Sequence, residues 1–283
     1  MNIHLECLPC LGKNAVDAAK RSSADLTVQK EILAESFRLL ATCDYQLPPP
    51  CMAGKILDIA FRHSGKNDIY EAEKRRSNML AENLLAGIDR LPEYDAASFE
   101  SRLRLALAGN ILDFGIYADL DIRLAMDAVK SAFTKKLDRE AVAALQNKME
   151  SARKILYILD NCGEAVFDRV FMAPYRDKIT LVVRENPAFN DVTADDLTGC
   201  GLSGMKYVVN GAKRTPGTCL AESPAELRQM FEDSDLVIAK GQGNFETLNE
   251  CSYPVAFLFM AKCPVVTRLL DVEVNSLQVL LHW

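Results

Sequence analysis

Apolar residues recur every three or four positions from about residue 11 to residue 152, which is the spacing of amphipathic helices. Turn signals stand between these segments, among them the run Pro48-Pro49-Pro50. The pattern therefore predicts an N-terminal part built of helices. We expect these helices at residues 15–21, 28–43, 52–63, 68–85, 99–107, 129–136 and 139–152.

From residue 154 the pattern changes to short apolar runs that alternate with helix-like segments. Runs of this length bounded by turn residues are typical of buried strands, and their alternation with helices predicts a mostly parallel sheet. The runs lie at residues 155–159, 179–183, 207–209, 236–239 and 255–259, with a sixth candidate at 279–281. We expect an α/β protein in which a helical domain (residues 1–150) packs on a Rossmann-like α/β/α domain (residues 151–283).

Composition limits the classes of partner. The 283 residues are 49% hydrophobic and 25% charged, as in globular proteins. The formal net charge of −6 provides no basic surface for nucleic acid. No run reaches the roughly twenty apolar residues of a membrane span, and the first residues lack the regions of a signal peptide. We expect a cytoplasmic protein that binds neither nucleic acid nor a membrane; no feature indicates an oligomeric state.

Nine cysteines, an odd number without framework spacing, fit a reducing cytoplasm. Cys7 and Cys10 form a CxxC pair, which can bind a soft metal or close a redox disulfide. A structural zinc site needs two more ligands, and no second CxxC or HxxxH follows. The pair is therefore either a metal or redox motif or two buried thiols, and a CxxC metal- or redox-binding protein is one alternative function.

Polar residues follow the predicted strands at their carboxyl ends, where open α/β sheets build binding sites. Asp160 and Asn161 follow the first strand, before Gly163 begins a predicted helix, and Asp191 lies in the loop after the second strand. Carboxylate and amide oxygens suit hard divalent cations. The alternative interpretation is that these residues only cap helices.

Cationic residues follow two other strands. Lys240 and the turn 241–244 end the fourth strand, and Lys262 follows the fifth. Glycines in the turn let backbone N–H groups approach an anion, which favours phosphate. Acidic ligands at one pair of strand ends and ammonium groups at another suit metal-assisted phosphoryl chemistry. The alternative interpretation of Lys262 is a surface residue whose aliphatic stem covers apolar neighbours.

Four segments together resemble the metal-dependent damage-control phosphatases: Asp160-Asn161-x-Gly163-Glu164, Asn190-Asp191-Val192-Thr193, Lys240-Gly241-Gln242-Gly243-Asn244 and Ala261-Lys262-Cys263-Pro264-Val265. Other stretches are similar to the stand-alone prokaryotic branch of that family: Cys7-x-x-Cys10, Asp68-x-Tyr70-x3-Lys74-x2-Ser77-Asn78 and Gly109-Asn110-x2-Asp113-Phe114-Gly115. The likeness runs in order through nearly the whole chain. One departure is Glu185, which stands where a small residue is expected.

The resemblance implies hydrolysis of small phosphorylated metabolites, such as sugar phosphates or damaged cofactor-like phosphoesters. It also implies a divalent cation held by Asp160, Asn161 and Asp191. The oxygen ligands favour Mg²⁺ or Mn²⁺, with Ni²⁺ and Co²⁺ as alternatives. Asp160 is expected to act as a ligand, a nucleophile or a base, and Lys240 and Lys262 to neutralise phosphoryl charge. The expected substrate contacts are Gln242, Gly243, Asn244, Glu246, Lys262, Asn78 and Asn110.

A second enzymatic alternative is a carboxyl methyltransferase that uses S-adenosylmethionine. Such an enzyme needs a glycine-rich cofactor turn after the first strand. The turn in this chain reads DNCGEA, which also lacks the GxGxxG pattern of dinucleotide sites. The sequence therefore favours the phosphatase.

Overall fold

A computed structural model of the chain describes residues 1–111, 122–211 and 213–283. The expected family stretch at Asp113, Phe114 and Gly115 lies outside these residues. Within these described ranges, six strands form one sheet: β1 (Ile155–Ile158), β2 (Ile179–Val183), β3 (Lys206–Val209), β4 (Leu236–Lys240), β5 (Val255–Ala261) and β6 (Ser276–His282). Their order is β3-β2-β1-β4-β5-β6; β1 to β5 run parallel, and β6 pairs antiparallel with β5. The predicted α/β fold with a mostly parallel sheet is confirmed.

Helices before β1 are α1 (Cys7–Ser22), α2 (Leu26–Ala41), α3 (Pro49–Ser64), α4 (Glu71–Leu85), α5 (Phe99–Ile111), α6 (Ile122–Thr134) and α7 (Arg139–Ser151). Those after it are α8 (Glu164–Met172), α9 (Ala225–Asp233), α10 (Gln242–Leu248) and α11 (Pro264–Leu270). Helix α1 begins earlier than the pattern predicted, because Pro9 is tolerated in a first turn; the CxxC pair therefore lies on the helix. Within the described ranges, no helix is both long and apolar enough to cross a membrane.

The two faces of the sheet are covered by different helices. On β1, Ile155 and Tyr157 point into one core, shared with α4 to α8, while Leu156 and Ile158 point into a second core, shared with α1, α3 and α9 to α11. This alternation follows from the two-residue period of a strand. The helices that precede the sheet in sequence thus bury both of its faces, and the two parts of the chain share their cores.

Lys74 fastens α4 to the sheet part. Its ammonium lies 2.9 Å from Asp68 and 2.8 Å from Asp196, and its side chain is almost completely buried. A basic run such as residues 74–76 usually forms a solvated face of a helix. Arg75 and Arg76 are indeed exposed, whereas Lys74 is buried, because two carboxylates compensate its charge.

The order in which successive strands are added to the sheet reverses at β1. The chain continues from β1 to β2 and β3 on one side, whereas β4 and β5 lie on the other. In open α/β sheets, ligands bind in the crevice that such a switch leaves at the carboxyl ends of the strands. The fold therefore places the ends of β1 and β4 beside a potential binding crevice.

Helices α5 and α8 touch at Gly109, where an added Cβ would lie 2.9 Å from the Cα of Glu164. We expect Gly109→Ala to lower the free energy of unfolding by about 1–3 kcal/mol, because neither helix backbone can yield easily. Gly12→Ala is the matched control, since its Cβ would meet only the Phe37 ring at 3.4 Å. Urea unfolding of both variants checks this; equal stability of the two would contradict it.

Candidate functional site

A cavity of about 320 Å³ lies at the switch point of the sheet. One side of it consists of apolar residues from the helical part and a neighbouring loop, including Leu11, Pro49, Pro50, Ala53 and Phe189. The other side consists of polar residues from the ends of the strands, namely Asp160, Asn161, Asn190, Asp191, Gln242 and Glu246. A cavity with one apolar wall and a few convergent polar groups is typical of a small-molecule site.

The strand ends that carry the predicted metal ligands are tied together. The N–H of Val192 donates to the carbonyl of Asp160 at 2.9 Å, and the N–H of Cys162 donates to that of Asn190 at 2.8 Å. These bonds set Asn161 opposite Asp191 in a short antiparallel bridge. The structure thus brings the three predicted ligands to one place on the cavity wall.

The alternative interpretation of these residues as helix caps is not what the structure shows. Helix α8 begins after Gly163, at a position without a side-chain cap. The short helical turn Ala194–Asp196 is capped by Thr193, not by Asp191. The acidic and amide side chains are therefore left for another role.

Arg184, directly after β2, places a positive charge beside the carboxylates of Asp160 and Asp191. Its Nε donates to Asp191 Oδ2 at 2.7 Å, its Nη2 lies 3.8 Å from Asp160 Oδ1, and its side chain is 1% exposed. Arg184 is not among the site residues expected from the sequence, although a cation directly after an apolar strand is a usable signal. The neighbouring Glu185 is exposed, so the departure from the family pattern is accommodated at the surface.

Glu164 adds a third buried carboxylate. The amide N–H groups of Asn161 donate to Glu164 Oε1 at 3.0 Å and to Asp160 Oδ2 at 3.1 Å. Burial raises the pKa of Asp160 well above its ordinary value, and the charges of Glu164 and Asp191 raise it further. Burial also raises the pKa of Asp191, although Arg184 opposes this shift. The cluster therefore contains three buried carboxyl groups beside one guanidinium, and the ionised forms of Asp160 and Asp191 need a further cation.

Lys240 lies inside the protein rather than at the cavity. Its Nζ donates to Asp168 Oδ1 at 2.6 Å and to the carbonyl of Ala106 at 3.2 Å, and it lies 3.7 Å from Glu164. These partners belong to α5 and α8, on the face of the sheet opposite α1 and α3. Burial raises the pKa of Asp168 to about 6, and Lys240 limits that rise. The ammonium group expected at the phosphate is thus paired within the core.

Lys262 lies at the exposed end of β5. Its backbone N–H donates to Gln242 Oε1 at 3.0 Å, and Gln242 Nε2 donates to Glu246 Oε1 at 2.7 Å. Gln242, Gly243 and Glu246 line the cavity, while the Lys262 side chain is exposed beyond it. Three of the expected substrate contacts therefore face the cavity, and a fourth stands at its edge.

Three expected contacts, Asn78, Asn110 and Asn244, are buried behind the cavity wall. Asn78 accepts the N–H of Gly163 at 2.7 Å, and Asn110 accepts the N–H of Met260 at 3.1 Å. Asn244 donates to the carbonyl of Lys240 at 2.7 Å. Each of these side chains bonds a backbone group of a strand or turn near the site, so their direct partners are protein groups.

The CxxC pair also lines the cavity. Cys7 and Cys10 share it with Cys263, and burial raises the pKa of both CxxC thiols. All nine cysteines fall within the described residues, and none of them forms a disulfide. In that same part of the chain, no three His, Cys, Asp or Glu side chains are grouped as a ready-made metal site.

Comparison with known proteins assigns the class. The chain matches the Damage-control phosphatase ARMT1-like domain over residues 3–277, and it belongs to that family. It is 30% identical over 284 residues to the damage-control phosphatase PH1575 of Pyrococcus horikoshii, covering 98% of this chain and 97% of that one. A damage-control phosphatase of Archaeoglobus fulgidus is 30% identical over 291 residues, with 98% of each chain covered.

The fold agrees with this assignment. The crystal structure of PH1575, described as a DUF89 family protein, superposes with a TM-score of 0.89 at 29% identity and covers 100% of both chains. The family expected from the sequence is confirmed, and with it a phosphatase function in general terms.

Glu246 predicts a pH dependence of stability. Burial raises its pKa from the ordinary value of 4.5 to about 7, although the hydrogen bond from Gln242 opposes the shift. As pH rises, Glu246 loses its proton at a lower pH in the unfolded chain than in the folded chain. Its contribution to stability is therefore fully present below pH 4.5 and is lost as pH rises to 7.

We therefore expect Glu246→Gln to become more stable relative to the wild type as pH rises through this window, by at most about 3 kcal/mol. Urea unfolding at pH 5 and pH 8 measures the difference. A stability difference that does not change with pH would show that Glu246 is ionised in the folded state throughout.

Proposed function

We propose that this chain is a metal-dependent phosphatase that hydrolyses small phosphorylated metabolites, such as sugar phosphates or damaged cofactor-like phosphoesters. The observation that carries the proposal is the bridge between the ends of β1 and β2, which sets Asp160, Asn161 and Asp191 on one wall of the cavity. The family match supports hydrolysis over carboxyl methyl transfer.

The residues on this wall fit a divalent cation. Both amide N–H groups of Asn161 are donated to carboxylates, which leaves its carbonyl oxygen for a ligand. The single positive charge of Arg184 compensates the ionised carboxylates of Asp160 and Asp191 only in part. Arg184 Nη2 has no hydrogen-bond partner. Mg²⁺ and Mn²⁺ accept one or two carboxylates and complete their coordination with water and substrate oxygens. When bound, such a cation polarises the phosphoryl group and orients a nucleophile.

The chain itself orients the groups of the reaction. Arg184 and the backbone bridge hold the two aspartates in place before a substrate enters, so no reorganisation is needed. In this proposal Asp160 acts as a metal ligand, a nucleophile or a base. The apolar wall of Leu11, Ala53 and Phe189 limits water around the substrate. A cavity of about 320 Å³ has the size that suits a small metabolite.

Metal binding should depend on Asp191. We expect Asp191→Asn to keep its melting temperature within a few degrees, because the amide oxygen can still accept from Arg184. Its affinity for Mn²⁺ should fall at least about tenfold, since a charged oxygen ligand becomes neutral. Asp177→Asn, an exposed change at the other end of the sheet, is the control.

Calorimetric titration with Mn²⁺ measures the affinity, and phosphate release from sugar phosphates before and after chelation measures the requirement for metal. Mn²⁺ affinity in Asp191→Asn equal to that of the control would refute the ligand set. Full phosphatase turnover in the presence of chelator would refute metal dependence.

Substitution of Lys262 and substitution of Lys240 should have different effects, the first on catalysis and the second on stability. Lys262→Met keeps the stem and removes the charge of an exposed side chain, so we expect normal melting and a loss of about 30- to 1000-fold in kcat/KM. Lys240→Met leaves Asp168 buried without its partner, so we expect a loss of about 3–5 kcal/mol in unfolding free energy. Thermal melting and phosphate release are measured on both. Wild-type turnover in Lys262→Met would remove that residue from the substrate site.

A further inference from the structure

The wall of the cavity opposite the acidic cluster faces the part of a substrate that is not phosphate. Apolar side chains from α1, α3 and the loops after β2 and β3 form this wall, namely Leu11, Pro49, Pro50, Ala53, Phe189 and Pro216. Leu11 and Ala53 are each 3% exposed, so the wall is part of the packed interior. A ligand that fills the cavity therefore meets a preformed apolar surface.

Phe189 has an unusual backbone conformation at this wall. Its φ of +47° lies in the left-handed region, which is uncommon for a bulky residue. The N–H of Asp191 donates to the carbonyl of Ala188 at 3.0 Å, so Phe189 lies in a tight turn that leads directly to a predicted metal ligand. Such a conformation persists only where surrounding contacts over-determine it, and it occurs mostly at functional sites. The fold thus maintains the position of Phe189 at a cost in backbone energy.

Tyr70 fixes the ring of Phe189. The centroids of the two rings are 5.5 Å apart and their planes meet at 73°, which is an edge-to-face contact. Tyr70 is itself 2% exposed, and its hydroxyl donates to Asp17 Oδ2 at 3.0 Å. The guanidinium of Arg21 lies 4.7 Å from the centroid of the Tyr70 ring. The aromatic part of the cavity wall is therefore anchored before a substrate enters.

The cavity is lined by acidic side chains and, in the described part of the chain, by no basic ones. Its carboxyl groups belong to Glu6, Asp160, Asp191 and Glu246. Residues 112–121 and 212, which lie outside the described part, read LDFGIYADLD and Ala, and they contain no Lys, Arg or His. The lining therefore offers no basic side chain to a second anionic group of a substrate.

Positive charges close to the cavity already have partners or another task. The α-ammonium group of Met1 donates to the carbonyl of Glu246 at 2.8 Å. Arg268 lies 2.6 Å from Glu6 at the surface. Lys262, exposed at the edge of the cavity, is the cation proposed for the reacting phosphoryl group. A second phosphate or a carboxylate would thus lose water beside carboxyl groups without gaining a cation, which is costly.

We propose that the site selects phosphomonoesters with a single phosphoryl group and an uncharged body that has an apolar face, a selectivity that rests on the phosphatase function proposed above. The phosphoryl group binds at the acidic wall, and the apolar face packs on Leu11, Ala53 and Phe189. Phe189 is the specificity-determining residue, because its fixed ring supplies the aromatic surface. Heavily hydroxylated bodies are poorer ligands, since their hydroxyl groups lose hydrogen bonds to water at this wall.

The first test compares cyclohexylmethyl phosphate with glucose 6-phosphate, two esters of a primary alcohol on a six-membered ring. Phosphate release is measured in Mn²⁺. We expect kcat/KM to be at least about tenfold higher for the cyclohexylmethyl ester, because only its ring suits the apolar wall. Fructose 6-phosphate and fructose 1,6-bisphosphate form a second pair. The bisphosphate should be at least about tenfold poorer, since its additional phosphate meets carboxyl groups.

The second test removes the aromatic ring. Phe189→Ala should lower kcat/KM at least about tenfold for cyclohexylmethyl phosphate and about threefold or less for glucose 6-phosphate. The ratio of the two values in one preparation does not depend on the fraction of folded protein. Phe37→Ala is the matched control, because Phe37 is half-exposed on α2 and does not line the cavity. It should keep the wild-type ratio.

Binding provides a readout that does not need turnover. In 2-cyclohexylethylphosphonate a CH₂ group replaces the ester oxygen of cyclohexylmethyl phosphate, so the compound is not hydrolysed. Calorimetric titration should show at least about tenfold weaker binding of this phosphonate to Phe189→Ala than to the wild type or to Phe37→Ala.

The possible results separate the selectivity from the phosphatase function. An equal or higher kcat/KM for glucose 6-phosphate, or for the bisphosphate, would overturn the proposed substrate class. An unchanged ester preference or phosphonate affinity in Phe189→Ala would overturn the role of Phe189. In these cases the phosphatase function stands, whereas release of phosphate from none of the four esters would refute that function and the selectivity with it.

Discussion

Asp160 and Asp191 share one buried guanidinium, that of Arg184, and the geometry around the cavity depends on this arrangement. Carboxylates removed from water are costly unless they are paired and hydrogen-bonded. Here the backbone bridge between the ends of β1 and β2 keeps the two charges together, and one cation compensates them only in part. The ionised forms of both aspartates therefore need a further cation, which is the physical basis for proposing that a divalent cation binds at this wall.

The turns around this cluster are shaped to make room for it. Gly241 has a φ of +81°, and an added Cβ there would lie 1.9 Å from Asp160 Oδ2, so only glycine fits. Asn244 bonds the carbonyls of Leu159 and Lys240 at 3.3 and 2.7 Å and so ties the ends of β1 and β4 together. The polar side chains behind the wall thus maintain the positions of those that face the cavity.

Behind the acidic cluster lies a second layer of alternating charge. Lys240 stands between Glu164 and Asp168 on the far face of the sheet. Although burial lowers the pKa of Lys240, the charge of Asp168 and then that of Glu164 hold it above its ordinary value. The lysine therefore stabilises the carboxylates from inside the protein, whereas Lys262 is exposed at the end of β5.

The sequence by itself determined the class of fold, the family and the strand ends that carry Asp160, Asn161 and Asp191. Hydrophobic periodicity depends on which face of an element is buried, and the rule that sites lie at the carboxyl ends of parallel strands needs no contact information. Only the tertiary structure decided where each side chain points and what it pairs with. It placed Lys240 in the core, between Glu164 and Asp168, because burial and partners depend on residues that the chain supplies from elsewhere.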